Sequence, residues 1–176
     1  MLSHRIIACF QALGVVCGSL FGATACSGPV DVYDEAAELS MTVVDSVVVA
    51  DELMGFLLIE EDRIGFGDTL TVRMVLENRR SEPRVILGSS IPYWSIHTLL
   101  NGEYVVFRGG LNAGLPSETE DMIPGCGSKG TTWTLRPEGD EAPGRYDVRV
   151  GLGVVEVDGR PVERPALRTE FELVVP

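Results

Sequence analysis

The chain is short of cations, histidine and tryptophan. Its 176 residues include 14 Lys+Arg against 26 Asp+Glu, two His and two Trp. A net charge of −12 with no basic stretch longer than Arg79-Arg80 argues against a nucleic-acid partner, because phosphate binding needs concentrated Lys and Arg. Scarce histidine narrows catalysis. Beyond His4 near the start, only His97 is present, and no Gly-x-Ser-x-Gly elbow exists to present a nucleophile. The acids Glu60-Glu61-Asp62, Glu118-x-Glu120-Asp121 and Glu138-x-Asp140-Glu141 lack the register of a calcium loop, and His97 with Cys126 lacks zinc-site spacing. What is there is globular: 45% hydrophobic and 23% charged residues, enough for one domain of ordinary size.

The four cysteines are unevenly placed. Cys9, Cys17 and Cys26 fall in the first 26 residues, and Cys126 stands apart. Met1 to Arg5 is short and carries a positive charge, Ile6 to Phe21 is largely apolar without acids, and Gly22 to Ala25 is small, the order of a secretory signal. Ala23-Thr24-Ala25-Cys26 resembles a bacterial lipobox, which implies cleavage before Cys26 and diacylglycerol on its thiol. Ordinary cleavage after Ala25 and an uncleaved helical anchor are the alternatives. Cleavage before Cys26 removes 25 of 176 residues, Arg5 among them and no acid, which takes the charge from −12 to −13. Lipid on Cys26 then leaves Cys126 as the one remaining thiol, expected to be free, with an intermolecular link as the alternative. Ser27 after the cysteine resembles the pattern sorted to the outer membrane in a Gram-negative host.

Residues 26–38 read as an acidic tether, and the domain is expected over 39–176. Short β-branched runs separated by turn residues fill that range. Met41 to Ala50 is a strand, whereas Leu53 to Glu60 is ambiguous between strand and short helix. Leu70, Val72, Met74 and Leu76 alternate with Thr71, Arg73, Val75 and Glu77, the pattern of a sheet with one wet face. Asn101-Gly102 marks a hairpin and Asp158-Gly159 a turn. Leu167, Thr169, Phe171, Leu173 and Val175 form the inward set of a last strand. Eight or nine strands without a convincing amphipathic helix imply an all-β antiparallel sandwich or small barrel.

Several of these segments carry a family resemblance. Gly67-Asp68-Thr69-Leu70-Thr71-Val72 leading to Leu76-Glu77-Asn78, then Asn101-Gly102-Glu103-Tyr104-Val105, are similar to strands of intracellular proteinase inhibitor (BsuPI-like) domains. Ile123-Pro124-Gly125-Cys126-Gly127 with Trp133-Thr134-Leu135, and Pro143-Gly144-Arg145-Tyr146-Asp147-Val148, resemble further stretches of that family. The resemblance spans about Gly65 to Leu152. It implies a single immunoglobulin-like antiparallel β-sandwich of about eight strands behind the N-terminal signal helix, with Tyr146 at a tyrosine corner. No inhibitory residue carries over, and the export signal departs from an intracellular inhibitor.

The functional expectation is a membrane-tethered, non-catalytic binding module of the cell envelope, contacting an envelope protein or protease. Direct serine-protease inhibition is an alternative, and an envelope hydrolase with His97 as base is a further one. No cofactor, metal or catalytic residue is assigned. Gly109 to Gly130, read as irregular, is the candidate recognition loop, because structureless segments of this length are uncommon unless functional or disordered. Leu111, Leu115 and Met122 are its candidate contacts, with Trp94 as a neighbouring aromatic. Cys26 is the lipidation site.

Overall fold

The computed structural model describes residues 32–89, 94–105, 107, 118–137, 139–163 and 165–175. Among them lie one helix and thirteen strands. In chain order these are α1 (Val32–Glu38), β1 (Thr42–Ala50), β2 (Leu53–Ile59), β3 (Arg63–Gly65), β4 (Leu70–Asn78), β5 (Arg84–Ser89), β6 (Trp94–Leu100) and β7 (Glu103–Val105). Then come β8 (Glu118–Ile123), β9 (Ser128–Leu135), β10 (Gly144–Leu152), β11 (Val154–Val157), β12 (Arg160–Pro161) and β13 (Ala166–Val174). The first sheet runs β1-β2-β4-β9, the second β3-β13-β10-β6-β7, and the third β12-β11-β5-β8. Every pairing is antiparallel except that of β13 with β3.

One core joins the three sheets. Leu57, Val72 and Leu76 from the first pack with Val148 and Phe171 from the second and Ile86 and Val157 from the third. β10 and β11 are consecutive, separated only by Gly153, so a single run of chain serves both the second and the third sheet. The molecule is an immunoglobulin-like antiparallel β-sandwich. Two hairpins follow from their turn residues. Asn101 and Gly102 have φ of 53° and 85°, and Asp158 and Gly159 have φ of 51° and 70°, the positive values that a two-residue type I′ turn requires.

The acidic-tether reading is corrected for residues 32–38, which form α1; residues 26–31 lie outside the described residues. A helix of seven residues is marginal alone, so tertiary packing has to hold it. Val32 and Ala36, four apart and on one face, are buried against Phe56, Leu58 and Val75 on the outer side of the first sheet. Arg73 on β4 donates through Nε to Glu35 Oε1 at 3.0 Å and pairs with it again through Nη2. The helix ends in a Schellman arrangement, Met41 N to Ala36 O at 2.7 Å and Ser40 N to Ala37 O at 3.2 Å, with Ser40 at φ 54°.

This cover explains two further departures. β2 is apolar throughout because both its faces are buried: Leu57 and Ile59 in the sandwich, Phe56 and Leu58 beneath α1. A strand buried on both sides loses the alternation that would identify it. For the same reason the face of β4 expected to be wet is not, and Val75 and Glu77 are buried. The expected irregular stretch 109–130 is also corrected, because 118–123 and 128–130 belong to β8 and β9. Val175 follows the end of β13 and is 63% exposed, so it leaves the expected inward set.

Asn78 ends β4 and is fully buried. Its Nδ2 donates to Glu82 O at 2.8 Å and Pro124 O at 3.0 Å, its Oδ1 accepts from Arg80 N at 3.1 Å, and its backbone N donates to Gly127 O at 2.8 Å. These bonds hold 79–83, which crosses from the first sheet to the third, against 124–127, which crosses back. The two crossovers touch so closely that a Cβ on Gly125 would stand 1.8 Å from Ser81 O.

At the opposite side of the core, Tyr146 stacks on Phe171 with centroids 5.2 Å apart and planes at 12°, while Phe107 meets both rings edge-on. The Tyr146 hydroxyl donates to Ala142 O at 2.5 Å, which is the tyrosine corner. Burial, and secondarily the negative charge of Glu141, raise the pKa of this phenol above its ordinary value of 10.0.

Asn78→Ala should lower the unfolding free energy by about 2–4 kcal/mol in chemical denaturation, since it strands buried carbonyls on both crossovers. Tyr146→Phe should cost about 1 kcal/mol near neutrality. A phenol with a raised folded value contributes stability that is complete below its unfolded value and is lost as pH rises through the folded one. The alkaline fall in stability should therefore be shallower in Tyr146→Phe than in the wild-type chain, measured as unfolding free energy against pH above 9.

Candidate functional site

The third sheet turns one face to the core and the other to solvent. Arg84, Ile86 and Gly88 on β5 are buried, which puts Val85 and Leu87 on the outer face. The register places Met122 on β8 directly opposite Val85, and Glu120 opposite Leu87, with Glu156 of β11 on the other side of Leu87. Met122 is 55% and Val85 39% exposed, while Leu87 is half-buried. The result is a small apolar patch edged by two carboxylates.

The strands beneath this patch are firmly held. Asp158 in the β11–β12 turn accepts from Val85 N at 2.9 Å through Oδ1, and its own N donates to Val85 O at 2.8 Å. Its second oxygen lies 2.5 Å from Arg84 Nε, and Arg84 Nη1 donates to Asp51 O at 2.6 Å. Arg84 is buried, so its charge is balanced by these partners and the geometry is pinned. On the neighbouring strand, Asp121 Oδ1 accepts from Met122 N at 2.8 Å while its other oxygen pairs with Lys129. An apolar patch on such a frame costs little ordering entropy when something docks on it.

Of the residues singled out from sequence, Met122 reaches this face, on a strand rather than in the expected loop. Leu111 and Leu115 lie outside the described residues, as does Cys26. Trp94 begins β6, and its side chain is likewise not described. Val85 and Arg84 escaped the sequence reading. Their signal is the β5–β8 register, which no local pattern carries.

His97 sits on β6 with its ring edge-on to Tyr104 at 5.5 Å between centroids. Glu60, Glu61 and Asp62 line an open cleft of about 450 Å³ with Thr42, Val44, Ile59 and Arg63. Among the described residues no three His, Cys, Asp or Glu side chains come together in a way that could hold a metal ion, and no helix is long and apolar enough to cross a membrane.

The expected free thiol at Cys126 is corrected: this residue is disulfide-bonded, to a partner outside the described residues. The expectation assigns Cys9 and Cys17 to the signal and Cys26 to the lipid anchor. The other cysteines of the sequence are Cys9, Cys17 and Cys26. Cys126 is held at φ 52°, with its N donating to Arg80 O at 2.7 Å, inside the crossover that Asn78 organises.

No family model matches the chain, and no curated protein matches it. Among solved structures, the CARDB domain of a Pyrococcus furiosus protein is 14% identical, with 65% of this chain and 87% of that one covered at a TM-score of 0.35. A family 123 glycoside hydrolase from Clostridium perfringens is 13% identical at a TM-score of 0.40, with 65% and 23% covered. An alkylpurine DNA glycosylase from Pseudomonas fluorescens is 15% identical at 0.32, with 65% and 28% covered. This chain thus spans about a quarter of either enzyme. Scores below 0.5 carry no argument about activity.

Proposed function

We propose that this chain is an exported, non-catalytic binding domain of the cell envelope, of proteinase-inhibitor (BsuPI-like) resemblance, that docks a protein partner on the outer face of its third sheet. One observation carries the reading: Val85 and Met122, large and exposed, stand opposite one another on braced strands. Glu120 and Glu156 at the margin favour a cationic rim on the partner. The occupant that fits is an extended apolar segment of an envelope protein flanked by Lys or Arg.

A photo-crosslinking residue at position 122 should capture that partner in cells, and mapped crosslinks should fall in a segment of this composition. Val85→Glu should suppress the capture while leaving stability within about 0.5 kcal/mol, as for surface substitutions generally. Val48, exposed on the first sheet, supplies the control position. Equal capture at 48 and 122 would sink the assignment.

Two readings of the anchor follow from chemistry. In the first, lipid on Cys26 tethers the domain, as the lipobox resemblance implies. The second is favoured by the cystine at Cys126. A sulfur in a disulfide cannot also carry a thioether-linked diacylglycerol. Ordinary cleavage after Ala25 keeps Cys26 and Cys126 in one mature chain, in a compartment where disulfides persist. Intact mass before and after reduction and alkylation separates the two. A lipid increment on the N-terminal peptide establishes the first, and two new alkylated cysteines without lipid establish the second.

A further inference from the structure

The outer face of the second sheet carries an arrangement that the reading above does not use. Tyr146, Val148 and Val150 on β10 point into the core, so Arg145, Asp147 and Arg149 point away from it. Arg149 stands directly opposite Arg168 of β13 on one side and His97 of β6 on the other. Pairing across strands sets such neighbours about 5 Å apart, and like charges so placed destabilise a sheet. Three basic side chains in one row are unexpected in a chain with 14 Lys+Arg against 26 Asp+Glu.

The carboxylates nearby do not resolve this row. Glu170 lies 3.3 Å from Arg145, one row away. Asp45 spends its oxygens on two backbone groups, Oδ1 on Ser46 N at 2.9 Å and Oδ2 on Arg168 N at 2.8 Å. Asp147 approaches only Arg149 Nη2, at 3.6 Å, beyond hydrogen-bond distance. Arg149 Nε is buried with no partner among the described residues, although the side chain as a whole is 42% exposed. The Arg168 guanidinium is exposed and makes no ion pair or hydrogen bond with the described residues. On the flank away from the acids, the next row is Ala166 opposite Gly151, which leaves room above the guanidinium groups. On the other flank, Tyr104 is 72% exposed and touches His97.

We propose that the Arg168–Arg149–His97 row binds a phosphate group, with the two arginines taking its oxygens and the ring of Tyr104 bordering the site. Two guanidinium forks on directly paired strand positions can converge on one tetrahedral anion, and each supplies paired donors of matching geometry. A single carboxylate would neutralise only one of them. The bound anion removes the like-charge cost between Arg149 and Arg168. The source is a free phosphate or a lipid headgroup.

The test uses the full chain titrated with sodium phosphate at constant ionic strength, following the arginine side-chain Nε–Hε resonances. Those of Arg149 and Arg168 should shift saturably. Arg149→Gln and Arg168→Gln should each weaken binding by about tenfold or more, as loss of a charge-assisted bond does. Arg63→Gln, at the far edge of the sheet, should leave it unchanged. A second readout separates a site from a structural ion cluster: without phosphate, Arg168→Gln should raise Tm, and phosphate should raise the Tm of the wild-type chain but not of the variant. Vesicles of phosphatidylglycerol against phosphatidylcholine identify the source, since retention on the former that is lost in both variants assigns the headgroup. No saturable shift, an equal loss in Arg63→Gln, or a lowered Tm in Arg168→Gln would overturn the proposal.

Discussion

The sandwich depends on one buried amide. Asn78 ends a strand of the first sheet, and the chain must leave that sheet for the third and later return. Both passages would expose backbone polar groups at the edge of a hydrophobic core, where an unpaired carbonyl is costly. Asn78 bonds to both passages and thereby fixes the distance between the two sheets. The braced Arg84 begins β5 only six residues later, so the geometry of the third sheet starts from this amide.

That role places the motifs behind the family resemblance. Asn78 is the hub, Gly125 has no room for a side chain, Trp133 and Leu135 face the core, and Tyr146 makes its corner. Each has a mechanical reason to be what it is. Such motifs report how a sandwich is built, and the surfaces proposed to meet other molecules lie elsewhere, on the outer faces of the second and third sheets.

How much was legible follows from range. The inward set of β4, the Asn101-Gly102 and Asp158-Gly159 turns and the tyrosine corner are written in neighbouring residues, and they could be read. α1 could not, because Val32 and Ala36 make a helix face only against Phe56 and Leu58, some twenty residues on. β8 escaped because ETEDMI lacks apolar alternation: its outer face mixes Glu120 with Met122, and only Ile123 reaches the core. Of the candidate contacts, Met122 alone could be located, and its partner Val85 emerged from register. The basic row was invisible for the same reason, since Arg149, Arg168 and His97 are scattered along the chain and meet only through strand pairing.

The seat of α1 also has a mechanical meaning. Its hold consists of a few side chains and the Glu35–Arg73 pair, with no strand ladder to share the load. The helix can therefore come away while the sheets stay intact, which bares Phe56, Leu58 and Val75. A domain built this way carries a loosely held cover on a stiff body.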